Sequence, residues 1–215
     1  MTGIEAIAAV TGLLSVYFLT QQNIWCWPTG LISVSLAAIV FYDSFLFSDM
    51  LLHVYYIGMN IYGWIHWNRK DDASPELPVT TMSIPANVRW VVITLVLTAA
   101  WGWAMGHLEL IAEWVIVNVD DSIRWANAWM DGGAPQAAYP YGDAFTTVAS
   151  LTAMWFMAQK RLENWVYWFI IDIVAVSIYA LKGLYLFSGQ YFIFLILCAI
   201  GFRDWRKSMI GSPSD

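Results

Sequence analysis

The side chains best placed to do chemistry sit together in one apolar run. Trp165, Trp168, Asp172 and Tyr179 stand at i, i+3, i+7 and i+14, and a helix brings residues so spaced to a single stripe. Asp172 falls near the middle of the run 165–181. A carboxylate at the centre of a bilayer costs about 2.5–3.5 kcal/mol or more unless it faces protein or water, and by default it marks a substrate or ion path. Aromatic faces beside a buried anion suit a flat ligand that is cationic or rich in hydroxyls.

A second stripe has the same character. His53, Tyr56, Asn60, Trp64 and Trp67 stand at i, i+3, i+7, i+11 and i+14 of the run 50–67, with Asn60 at about the depth of Asp172. Two such stripes at matched depth argue for one central cavity, with Asp172, Trp168, Asn60, Trp64, Tyr56, Trp165 and Tyr179 as candidate ligand contacts. The run 144–159 adds Asp143 and Thr147, among Thr146, Ser150 and Thr152. Small hydroxyl residues in a membrane also serve as helix-packing surface, so both readings stand there. Lys182 is a candidate contact and the alternative partner for Asp172, ten residues away, or about 15 Å along a helix. For Trp25, Trp27, Trp67, Trp165 and Trp205, near run ends, the competing reading is an interfacial anchor.

These stripes need spans to carry them. The chain has 215 residues, 60% apolar and 12% charged, where a soluble domain would have about a quarter charged. Seven apolar runs, 4–20, 25–42, 50–67, 88–105, 144–159, 165–181 and 185–202, approach the ~20 residues needed to cross a bilayer. The first lacks a basic flank and a cleavage site, so it reads as a span and not a leader. A charged, proline-containing loop is expected over 68–87 and an amphipathic surface helix within 107–143, its external part at 108–130. With the N-terminus outside, eight Lys and Arg fall on the inner side and two, Arg124 and Lys182, on the outer, as the positive-inside rule requires. A net charge of −6 offers no basic patch for nucleic acid. Cys26 and Cys198 lie inside apolar runs and read as core residues. No nucleophile elbow, zinc-protease or phosphate-loop motif occurs, the three histidines are scattered, and the last run lacks the lysine that a retinal Schiff base needs. Neither an enzyme nor a cofactor or metal is expected.

The chain also repeats itself. Tyr17 to Gln21 returns as Trp155 to Gln159, Asn23 with Trp25 and Trp27 as Asn164 with Trp165 and Trp168, Leu46 to Ser48 as Leu186 to Ser188, and Gly63 to Trp67 as Gly201 to Trp205, at offsets of 138 to 141. Two three-helix units joined by one extra span take the same orientation in the membrane, and sites in such proteins lie near midplane between the repeats. The expectation is an all-α, seven-span protein of the 3+1+3 kind. Its units are a first repeat over 1–70, a loop, linker helix and external acidic segment over 71–142, a second repeat over 143–207, and a cytoplasmic tail over 208–215.

Glu163 to Trp168 with Asp172, Tyr179 to Leu186 including Lys182 to Tyr185, Gly201 to Trp205, and Tyr62 to Trp67 carry a resemblance to the PnuC family of bacterial nicotinamide riboside transporters. The resemblance implies parallel three-helix repeats related to the SWEET sugar carriers, and a homotrimer. It further implies uptake of nicotinamide riboside across the inner membrane by facilitated diffusion, with a cytoplasmic kinase trapping the product. A sugar carrier and a non-transporting receptor for a nucleoside-like ligand are the alternatives.

Overall fold

The structure, a computed structural model, describes residues 3–43, 47–69, 77–107, 140–181 and 185–211. Lys182, the segment 108–130 and its expected surface helix lie outside these. Among the described residues run seven helices: α1 (Gly3–Thr20), α2 (Cys26–Asp43), α3 (Phe47–Trp67), α4 (Ile84–Gly106), α5 (Pro140–Ala158), α6 (Glu163–Leu181) and α7 (Tyr185–Gly211). Each has at least 18 residues, about 27 Å at the helical rise, close to the thickness of a hydrocarbon core. On length and composition alone α1, α4 and α6 are apolar enough to cross a membrane. In α3 and α5 the average is lowered by residues such as His53, Asn60, Asp143 and Thr147, all of which turn inward.

Six helices close a ring. α1 packs on α2 and α2 on α3, α5 on α6 and α6 on α7, and the two triplets meet where α3 touches α5 and α1 touches α7. Among the described elements α4 packs on α5 alone, through Thr94 against Thr152 and Trp90 edge-on to Phe156. The rest of α4 turns Val88, Val92, Val96 and Trp103 outward, as a lipid-facing helix does. The ring therefore has a two-fold character, and the register that relates its halves is 138 residues.

That register is set by local chemistry at the ends of α1 and α5. Gln22 and Lys160 have left-handed backbones, φ 54° and 49°, the only non-glycine ones among the described residues. After α1, Asn23 N–H donates to Phe18 O at 2.9 Å and Gln22 N–H to Leu19 O at 3.0 Å; after α5, Arg161 N–H donates to Phe156 O at 2.9 Å and Lys160 N–H to Met157 O at 3.1 Å. Both sets form the Schellman turn, which satisfies the last carbonyls of a helix and ordinarily uses glycine. A non-glycine residue there costs on the order of 1 kcal/mol, and both are held by what their side chains touch. Lys160 Nζ donates to Gln22 Oε1 at 3.3 Å, and Gln22 Nε2 donates to Ser208 Oγ at 2.8 Å.

Directly above lies a cluster of four tryptophans. Trp27 stands edge-on to Trp67 at 5.2 Å and Trp165 edge-on to Trp205 at 5.4 Å, while Trp67 and Trp205 meet at 5.9 Å. Gly63 and Gly201 make room for it: a Cβ at either would overlap the Trp27 or Trp165 ring. Trp67 donates its indole N–H to Ala158 O at 3.0 Å, and Trp205 donates to Leu19 O at 2.9 Å, so each half bonds the end of the other's first helix. The anchor reading thus fails for Trp27, Trp67, Trp165 and Trp205, all buried, and is compatible only with Trp25, 60% exposed. Depth along a helix identifies an anchor candidate, but the glycine opposite decides which way the ring turns.

The segment 77–83 crosses the same end. Thr80 pairs with the turn after α5, donating to Lys160 O at 3.1 Å and accepting from Leu162 N–H at 2.9 Å. Glu163 Oε1 accepts from Met82 N–H at 2.7 Å, and Val79 is buried against the tryptophan cluster.

Candidate functional site

Within the ring, above the four tryptophans, is a cavity of about 330 Å³, in the range of small-molecule sites. Eight of the ten residues expected at a site line it: Asp172, Trp168, Trp165 and Tyr179 from α6, Asn60 and Tyr56 from α3, and Thr147 and Asp143 from α5. The α6 stripe is thus a wall of the cavity along its length.

Asp172 is 3% exposed, and the Cys198 thiol donates to its Oδ2 at 3.4 Å. Rings surround it. Tyr179 stacks on Tyr191 at 5.3 Å and 12°, and His53 stands edge-on to Tyr56 at 5.4 Å. Asn60, also 3% exposed, donates Nδ2 to Tyr56 O at 2.8 Å, which fixes the orientation of its amide. Thr147 donates to Asp143 O at 2.9 Å, so its proton is held within α5 and its lone pairs are what it offers the cavity. The lining holds two carboxylates, Asp143 and Asp172, and no Lys or Arg among the described residues. Such a chamber favours a cation with a flat face and disfavours an anion.

Trp64 is not in the lining and is 39% exposed on the flank of α3. The buried arc of that helix centres on Met59, Gly63 and Trp67, so Trp64 falls at its edge although an ideal wheel keeps it within the stripe. The glycine, which has no side chain to read as polar or apolar, sets the direction.

Several lining residues were not anticipated as contacts. His53 stands in the α3 stripe, and the register of 138 carries it onto Tyr191 and carries Tyr56 onto Phe194, both of which line the opposite wall. Ser15, Ser33 and Gly30 complete the first half's wall. Their small side chains carry no periodic signal, and only the repeat, which pairs Gly30 with Trp168, marks the position.

The family model described as nicotinamide mononucleotide transporter matches residues 2–207. The chain is 29% identical over 213 residues to the nicotinamide riboside transporter PnuC of Escherichia coli (strain K12), covering 97% of this chain and 87% of that one. It is 27% identical over 213 residues to the PnuC of Neisseria mucosa, covering 95% and 72%. It is 25% identical over 202 residues to the riboflavin/roseoflavin transporter RibM of Streptomyces davaonensis, covering 94% and 83%. A crystal structure of the vitamin B3 transporter PnuC has the same fold, with a TM-score of 0.68 over 96% of this chain and 82% of that one at 23% identity.

Proposed function

Because the chain belongs to the nicotinamide mononucleotide transporter family, we propose that it is a membrane carrier for nicotinamide riboside, the compound for which its Escherichia coli and Neisseria mucosa relatives are named. The observation that carries this reading is the cavity's charge. Asp143 and Asp172 stand among aromatic rings with no Lys or Arg in the described lining. A pyridinium ring finds stacking and cation–π partners in Trp168 and the tyrosines, and Asn60, Asp172 and Thr147 suit ribose hydroxyls or a carboxamide. A phosphate would meet only like charge. The mononucleotide is therefore the product left behind, and phosphorylation by a cytoplasmic kinase traps what has entered.

Transport is by facilitated diffusion with alternating access, the two triplets rocking about the central site. In support, the Trp67–Trp205 contact and the hydrogen bonds of Trp67, Trp205, Lys160 and Gln22 at that end run between the halves and must part for it to open. We place this end in the cytoplasm and the N-terminus outside, since Arg69, Arg89, Lys160, Arg161, Arg203, Arg206 and Lys207 all lie there. A homotrimer in the bacterial inner membrane belongs to the same proposal, supported by the outward apolar face of α4.

Uptake by proteoliposomes tests it. Labelled nicotinamide riboside should accumulate to the external concentration, be displaced by unlabelled riboside but not by its mononucleotide or by glucose, and be unaffected when a pH gradient is collapsed. Stronger displacement by riboflavin, the ligand named for RibM, would move the assignment to flavins. Saturable binding without flux would make the protein a receptor.

A further inference from the structure

The order of elements along the chain puts α4 directly after the first triplet, but its contacts put it with the second. Among the described elements it packs on α5 alone, and it does so along its length. Trp90 stands edge-on to Phe156 at 5.2 Å, and Phe156 edge-on to Tyr167 of α6 at 5.3 Å. Half-way along, Thr94 and Thr152, both buried, share a hydrogen bond at 3.3 Å. Near the far end Gly102 lies against the Tyr141 ring, which a Cβ there would overlap. The segment ahead of α4 is fastened to the same half. Besides the bonds of Thr80 and Met82 to Lys160, Leu162 and Glu163, Arg161 Nη1 donates to Thr81 O at 3.4 Å and Asn87 Nδ2 to Glu163 Oε1 at 3.3 Å. Val79 and Leu77 reach the tryptophan cluster, which both halves build, through apolar side chains.

The first half has no equivalent seat for α4. At the register of 138, Tyr141 corresponds to Gly3, Thr152 to Leu14 and Glu163 to Trp25. The ring, the hydroxyl and the carboxylate that α4 and its lead-in use therefore have no counterparts on that side. Leu14 and Trp25 are exposed, where Thr152 is covered. The two kinds of contact also differ in what it costs to separate them. The bonds joining Lys160, Gln22 and Ser208 lie beyond the ends of α1 and α5, where water replaces each one as it breaks. The Thr94–Thr152 bond lies in the middle of an apolar helix, and in hydrocarbon nothing replaces it, so each orphaned hydroxyl carries the full cost of desolvation. A motion that opens the Trp67–Trp205 end will part the former and keep the latter.

We propose that the moving bodies are unequal: α4 and the segment 77–83 travel as part of the second triplet, a body of four helices, and α1 to α3 open and close against it. The proposal rests on the alternating-access reading given above and adds where the boundary between the bodies runs. That boundary leaves Asp143, Asp172 and Trp168 together on the four-helix body. The cationic ring of the riboside stays with one wall of the cavity while the other wall swings.

The experiment ties the four-helix body to itself. Thr94→Cys with Thr152→Cys, and separately Thr80→Cys with Arg161→Cys, are made in a Cys26→Ala background and reconstituted in liposomes. A short bifunctional thiosulfonate ties each pair, and the mass of the protein reports the extent. Exchange of labelled nicotinamide riboside is measured before tying, after it and after reduction. Gln22→Cys with Lys160→Cys is the tie across the boundary. Exchange should stay within about twofold in the first two pairs and fall about tenfold or more in the third, returning on reduction. Each protein is compared with its own untied form, so poor reconstitution does not bias the ratio, and either of the first two pairs carries the test if the other does not fold. A larger, reversible loss in either of those pairs would show that α4 moves against α5, and would overturn the proposal while alternating access stands. Exchange unchanged in all three would overturn both.

Discussion

At the scale of single residues the site is a matter of which way each side chain turns. Trp168→Ala removes a ring from the wall and Asp172→Asn removes a charge; each should weaken nicotinamide riboside binding by more than about 1 kcal/mol, the worth of one cation–π or charge-assisted contact. Trp64→Ala and Trp25→Ala should leave affinity within about twofold by the same calorimetry, because both rings lie on exposed surface. A large loss at Trp64 would mean that it enters the site in another conformation. The stripe on α6 was legible because Asp172 is out of place in an apolar run, and polar residues on one helical face point to a common interior. Gly30, Ser15 and Tyr191 were not legible by that route. Two are too small to register as a signal, and Tyr191 lies among so many aromatic residues that its type alone says nothing. The internal repeat, pursued residue by residue at a single offset, would have found Gly30 through Trp168 and Tyr191 through His53, but not Ser15, which falls on Ala153.

At the scale of elements, the helices hold together through a few close approaches. Gly63 and Gly201 each face an indole, so Gly63→Ala or Gly201→Ala should overpack the floor of the cavity and destabilise the protein by about 1–3 kcal/mol. This would appear as a lower unfolding temperature in detergent. The seven helices themselves were readable from apolar runs, with ends within a few residues of those observed except at α4 and α5, which each begin four residues earlier, and α7, which continues past the expected span. The early start of α4 is the work of Pro85 in the first turn after Ser83, since proline is pre-shaped for that position. The length of α7 reflects Trp205 and Ser208, whose partners on α1 and its following turn keep the helix ordered beyond the apolar run.

The same contacts predict how the elements move. If the Lys160–Gln22 pair must separate for the Trp67–Trp205 end to open, then Gln22→Cys with Lys160→Cys, in a Cys26→Ala background, can be tied by a short bifunctional thiosulfonate. The tied protein should still bind the riboside but lose exchange of labelled riboside across a liposome membrane, and reduction should restore it. Unchanged exchange in the tied protein would show that this end does not gate.

For the whole molecule, the prediction concerns driving force. A passive carrier equilibrates its substrate, so internal riboside in proteoliposomes should level at the external concentration whatever the membrane potential or proton gradient. Adding a kinase and ATP inside should then draw in label continuously as the phosphorylated form. The sequence made the two-triplet plan visible through its repeated motifs, but not the contact between α1 and α7 or between α3 and α5, since nothing in the order of helices along a chain dictates which of them close a ring.

The pairing of Gly30 with Trp168 and of Val34 with Asp172 has one more consequence. Everything that shuts the bundle, the bent ends of α1 and α5, the glycines under the indoles and the crossed bonds to the neighbouring triplet, is present twice. Everything that would grip cargo is present once and divided, with an indole and two carboxylates on one side and, on the other, a glycine under the Ser15 hydroxyl and the Asn60 amide oxygen. A dimer of the first triplet alone could therefore assemble and close without an acid in its wall, while a dimer of the second would set two copies of Trp168 and of Asp172 against each other. Selectivity in this protein is a property of the difference between its halves, and closure is a property of their sameness.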